Sequence, residues 1–112
     1  MHRIQVDTDS DTAVVSGEGE LDAYAAPDFS AIFDELGAAR VVIDLDAVSF
    51  MDSTALGLVV RAVRELGERG SVVRIVLPRS PARRIFEITT LDGALPVCAS
   101  RREALAELAA ER

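Results

Sequence analysis

Lysine is missing from this chain: the 12 basic residues are all arginine. That absence removes a P-loop lysine, a Schiff-base lysine and any phosphoryl site that depends on a lysine ammonium. Tryptophan is absent too, and one tyrosine and four phenylalanines are the whole aromatic complement. The core must therefore be built from Val, Leu, Ile and Ala, and a sugar cleft of the paired-carboxylate glycosidase kind has almost no aromatic platform to use. The single histidine, His2, sits at a terminus expected to fray, which argues against a Ser–His or Cys–His nucleophilic pair. Cys98 is alone, so no internal disulfide forms; this fits a reducing compartment. It lies in the short apolar run Leu95 to Ala99, where a buried small hydrophobe is expected rather than a reactive thiol. No apolar run approaches a membrane span and no basic, apolar-cored leader opens the chain, so a soluble cytoplasmic protein without membrane insertion is expected. The net charge of −7 argues against nucleic acid as a partner.

The chain has 112 residues, and a single domain over 1–112 is expected. Its organising stretch runs from Val41 to Arg69. Val41-Val42-Ile43-Asp44-Leu45 reads as a buried parallel strand. Asp46 to Met51 reads as a loop whose Val48, Phe50 and Met51 anchor the next segment against the core. Leu56, Val59, Val60, Val63 and Leu66 then keep helical spacing, with Arg61, Arg64, Glu65 and Glu68 on the opposite face. Asp52 and Ser53 fall where that helix begins, and both are good capping residues. A hydroxyl there lies at the positive end of the helix dipole, beside N–H groups without helical partners, where a phosphate would be stabilised. From spacing alone, Ser53 reads either as a cap or as such a site.

Around this centre, Arg3–Asp7 and Thr12–Ser16 alternate as two strands of an antiparallel hairpin, joined by a polar turn at Thr8-Asp9-Ser10-Asp11. The glycines of Gly17-Glu18-Gly19-Glu20-Leu21-Asp22 read as a strand end and turn, and they do not form a dinucleotide-binding fingerprint. Pro27 suits the first turn of a helix carrying Phe29, Ile32, Phe33 and Leu36, stopped by Gly37. Gly70 ends the central helix. Val72–Leu77 is the next strand, stopped by Pro78. Ser80-Pro81 opens a short helix with Ile85, Phe86 and Ile88 inward, and Leu91-Asp92-Gly93 is a break. After a last strand at Leu95–Ala99, Ser100-Arg101-Arg102-Glu103 fits a capping box for a final helix with Leu105, Leu108 and Ala109 inward. The order β-β-α-β-α-β-α-β-α predicts an α/β fold: a mixed sheet of 4–5 strands, opened by an antiparallel hairpin, continued by parallel βαβ units and carrying four helices. Functional groups gather beyond the carboxyl ends of parallel strands, which places Ser53 with Asp44, Asp46 and Asp52, and Asp22 beside them. Four aspartates suggest a Mg²⁺ site or a phosphorylated aspartate, but a response-regulator receiver needs a lysine opposite its acceptor. Acidic loop residues of an acidic protein are the simpler reading.

Three blocks carry a family resemblance: Gly19-Glu20-Leu21-Asp22 before the first helix, Val48-Ser49-Phe50-Met51-Asp52-Ser53-Thr54-Ala55-Leu56-Gly57 before the second, and Ser80-Pro81-Ala82-Arg83-Arg84-Ile85-Phe86 before the third. On them the chain resembles the STAS domains of sulfate transporters and anti-sigma factor antagonists, specifically the free-standing antagonists, over nearly its whole length. Ala55 stands where many relatives carry Gly. The resemblance implies a regulatory binding protein rather than an enzyme. Its unphosphorylated form would bind an anti-sigma factor that is also a serine kinase, freeing the sigma factor. That kinase, with its own ATP and Mg²⁺, would phosphorylate Ser53 and break the complex, and a PP2C-type phosphatase would reset it. No cofactor or metal of the chain's own is implied. The resemblance makes Ser53 the phosphoacceptor, with Asp52 and Thr54 flanking it and Asp22 and Leu56 as further kinase contacts. Its alternatives are a docking subunit of a transporter or stress-sensing complex, and a small-molecule-binding STAS module.

Overall fold

A computed structural model describes residues 1–89 and 93–111. Strands β1 (His2–Asp9) and β2 (Thr12–Leu21) precede α1 (Ala26–Glu35), β3 (Arg40–Met51) and α2 (Ser53–Glu68). Then come β4 (Val72–Val76), a 3₁₀ turn at Pro81–Arg83 running into α3 (Arg84–Ile88), β5 (Val97–Cys98) and α4 (Arg101–Ala110). The five strands form one sheet in the order β1-β2-β3-β4-β5, with β1 and β2 antiparallel and every later pairing parallel. This is the mixed α/β sheet expected from the sequence.

The sheet is covered on both faces, which explains the unbroken apolar run of its middle strand. Val41, Ile43 and Leu45 join Val15, Ile75, Phe29, Phe33, Leu66 and Phe86 in the larger core, while Val42 faces the other way with Val14, Val76, Cys98, Ala104 and Leu108 beneath α4. Asp44 is the one charged side chain buried among the described residues. It lies at the edge of the α4 side, where Arg101 Nε donates to its Oδ2 at 2.7 Å and the Asp46 amide to its Oδ1 at 3.0 Å. A buried carboxylate is tolerable only with such partners.

Several segments differ from the sequence expectation, each for a physical reason. The segment Asp46–Met51 is not a loop: β3 continues through it, pairing with β2 as far as Leu21–Met51. Val48 and Met51 are buried as expected, but Phe50 is 48% exposed and does not anchor the segment to the core. The glycine stretch is likewise strand, with irregular register at Ser16/Glu18 and Gly19/Glu20. Gly19 is required there because φ is +77° and a Cβ would collide with the Met1 carbonyl oxygen. The hairpin turn tightens to Ser10-Asp11, with Ser10 at φ 59°. Ile88 is exposed, because α3 ends at that residue. Of the residues expected inward on α4, Leu108 is buried, whereas Leu105 and Ala109 face out and Ala104 is buried beside Leu108. The last strand is reduced to Val97–Cys98. Of the break Leu91-Asp92-Gly93, the first two residues lie outside the described residues.

Candidate functional site

The site forms where β2 and β3 end side by side. Leu21 and Met51 are register partners, and the Asp52 amide donates to the Leu21 carbonyl at 3.3 Å, so the chains beyond them start from neighbouring points. Beyond Leu21 the chain turns at once. Asp22 Oδ1 accepts from the amides of Tyr24 at 3.0 Å and Ala25 at 3.3 Å, and its carbonyl accepts from Ala25 and Ala26. This Asx-type turn delivers the chain to α1, whose own N-cap position, Ala25, makes no side-chain cap bond.

Beyond Met51, Asp52 is the N-cap of α2 and Ser53 its first residue. Asp52 Oδ1 accepts from the Ala55 amide at 2.9 Å, and Oδ2 accepts from the Ala23 amide at 3.2 Å. One carboxylate thus starts α2 and clamps the turn carrying Asp22. The cap is Asp52, which leaves the Ser53 hydroxyl without a capping duty; it is exposed, with no hydrogen-bond partner among the described residues. It stands in the first turn of a 16-residue helix, where backbone N–H groups lack helical acceptors.

The structure brings Asp22, Asp52, Ser53 and Thr54 together, and Thr54 is exposed like Ser53. Leu56 is placed differently. It is 5% exposed and belongs to the core, so its side chain offers a partner little area and instead seats the first turn of α2. Asp44 and Asp46 point to other tasks: Asp44 is taken by Arg101, and Asp46 lies 3.0 Å from Arg79. Among the described residues, the donor atoms close enough to share a metal ion are those of Cys98, Glu103 and Glu107, away from Ser53. There Arg74 Nε already holds Glu107 at 2.8 Å, and its hydrogen bond keeps that carboxyl below its ordinary pKa. Burial pushes the Cys98 thiol up to about 11.

Two features of the site escape the sequence reading. Tyr24 is 88% exposed on the turn that Asp22 builds, and Phe50, two residues before Asp52, faces outward. A shallow groove of 380 Å³ between α1 and α2, lined in part by Ala23, Pro27, Thr54, Gly57 and Arg61, opens beside Ser53. Exposed aromatics in a chain that has so few were the available signal, but alternation alone does not tell which face of a two-sided strand end is open.

The family model for the STAS domain matches residues 3–104. The chain belongs to the STAS domain family. It is 33% identical over 82 residues to the anti-sigma-B factor antagonist of Staphylococcus aureus (strain NCTC 8325 / PS 47), covering 70% of this chain and 76% of that protein. Over 92 residues it is 34% identical to the anti-sigma-B factor antagonist of Listeria monocytogenes, covering 80% and 81%. Among solved STAS-type structures, an anti-sigma factor antagonist from Mycobacterium paratuberculosis superposes with a TM-score of 0.84 at 29% identity, covering 96% of this chain and 93% of that one. No helix among the described residues is long and apolar enough to cross a membrane.

Proposed function

We propose that this STAS domain is an anti-sigma factor antagonist whose binding is switched off by phosphorylation of Ser53. The observation that carries the reading is the division of labour at the start of α2: Asp52 does the capping, and the next residue presents an uncommitted hydroxyl to solvent. The similarity to anti-sigma-B factor antagonists supports the first half of the proposal, and the geometry of Ser53 supports the second.

In this reading the unphosphorylated domain binds an anti-sigma factor that is also a serine kinase, and the sigma factor is released. The kinase supplies ATP and Mg²⁺ and transfers the γ-phosphoryl group to Ser53 Oγ; the hydroxyl proton leaves and ADP remains. A PP2C-type phosphatase hydrolyses the phosphoserine and restores the binding form. The domain contributes a positioned nucleophile and a surface, and performs no catalysis itself. Phosphoserine brings about −1.5 to −2 charges, next to a carboxylate on Asp52 and close to Asp22. A partner surface matched to a neutral hydroxyl must then desolvate a dianion or release it. A hundredfold loss of affinity needs only about 2.7 kcal/mol, within the range of a poorly matched buried charge. The first-turn amides of α2 meanwhile favour the phosphate, so the domain itself stays folded.

The test is the intact mass of the protein recovered from its own cells, with peptide mapping across Asp52–Thr54. One added phosphate at Ser53, absent from Ser53→Ala, is expected. An unmodified Ser53 under every growth condition would leave it with no role in switching.

A further inference from the structure

The chain has one tyrosine and four phenylalanines, and their burial divides them sharply. Phe29, Phe33 and Phe86 are 5% exposed or less, whereas Tyr24 and Phe50 stand in solvent. Both exposed rings fall at the Ser53 end of the sheet. Tyr24 follows Ala23, whose amide is bonded to Asp52, and Phe50 precedes Asp52 by two residues, opposite Glu20 in the β2–β3 register. We infer that Tyr24 and Phe50 are the aromatic anchors by which the partner kinase grips this end of the domain, an inference that rests on the reading of Ser53 given above.

Neither ring packs in the core, and Tyr24 leaves 88% and Phe50 48% of its surface open. At an interface they supply large, stiff contact area with little rotamer entropy to lose, which is why aromatic residues recur as hot spots. Any kinase that phosphorylates Ser53 must bring its active site against the hydroxyl, and a protein-sized surface seated there covers residues two or three positions away. The groove between α1 and α2 opens on the Tyr24 side of this end, where Ala23, Gly57 and Thr54 permit close approach; Phe50, beside core-facing Met51, flanks the same strand end from the other face of the sheet. Charge selects against a second copy of the chain. The same end bears Asp22 and Asp52, while Glu20 is held by the Met1 ammonium at 2.8 Å and Arg61 lines the groove; a face-to-face dimer would still set the aspartates of two copies of a chain of net charge −7 against each other. The fitting partner has apolar pockets for two rings inside a basic surround.

The test places the photo-crosslinker p-benzoylphenylalanine in the full chain at position 24 or 50 in its own cells. Positions 6 and 105, also exposed but away from Ser53, serve as controls, and Ser53 phosphate is mapped in the same samples. Positions 24 and 50 are expected to capture one ATP-binding serine kinase that the controls do not, and Ser53→Glu is expected to abolish the capture. With that kinase purified, Tyr24→Ala and Phe50→Ala should each weaken binding at least tenfold. Tyr24→Phe and Phe50→Leu should retain most of it; the Tyr24 variants should melt like the parent, and Phe50→Leu controls for any packing that half-covered Phe50 loses in Phe50→Ala. Phosphate on Ser53 with capture only from the controls, or alanine variants within twofold of the parent, would overturn the anchors and leave the switch standing. Capture of another copy of the chain would also overturn them. Absence of phosphate together with capture of a protein that is no kinase would overturn both.

Discussion

The carboxylate of Asp52 accepts from the Ala55 amide at 2.9 Å and from the Ala23 amide at 3.2 Å, so the residue before the candidate phosphoacceptor joins two elements. Asp52→Ala should cost about 1–2 kcal/mol through the lost cap, seen as a lower urea midpoint with an unchanged slope. Asp52→Asn, which still caps, should recover most of that loss, and equal midpoints for parent and alanine variant would contradict the clamp. At this scale the sequence was legible where chemistry is local: Asp, Ser and Thr before an apolar stripe mark a helix start wherever they occur. It was illegible where the answer depends on what packs from elsewhere. Leu56 opens the apolar stripe of α2 and is core as that periodicity implies; the kinase-contact role comes from the family resemblance and finds little exposed area there. Phe50 reads as an anchor because aromatics are costly to expose, yet its register opposite Glu20 turns it outward.

At the scale of elements, the hairpin, the strands of the parallel sheet and the helices α1 and α2 follow from apolar periodicity, with ends set by Pro27 and Gly70. The overlong β3 does not, since pairing with β2 carries Asp46–Met51 beyond the apolar run that signals a strand. The inward face of α4 matches its apolar spacing only at Leu108. Beneath the helix lie Val14 of β2, Val42, Val76 and Cys98, and Ala104 and Leu108 meet them while Leu105 stays partly exposed. Cys98 lies under α4, and its thiol is raised to about 11 from an ordinary value of 9.0, chiefly by burial. A raised folded-state value favours the neutral thiol. The stability it contributes is full below pH 9 and lost as pH rises through 11. Urea midpoints from pH 8 upward should therefore fall more steeply for the parent than for Cys98→Ala, and a thiol reagent should react slowly with the native protein at pH 8. Rapid native labelling or parallel pH profiles would show that the thiol is accessible.

For the molecule as a whole, an acidic domain without lysine carries its exposed aromatics and an uncommitted serine at the same end of its sheet, while its buried carboxylate is neutralised by arginine on the α4 side. That polarity is what the proposed reading by a partner at one end requires. In the proposed switch, phosphate on Ser53 ends binding without unfolding the domain. The most direct measurement titrates the partner kinase with the unphosphorylated domain and with the stoichiometrically Ser53-phosphorylated domain, alongside thermal melts of both forms. The expected result is an affinity about a hundredfold or more lower for the phosphorylated form, equivalent to about 2.7 kcal/mol or more, with melting temperatures within a few degrees. Equal affinities, or a phosphorylated domain that no longer folds, would contradict it.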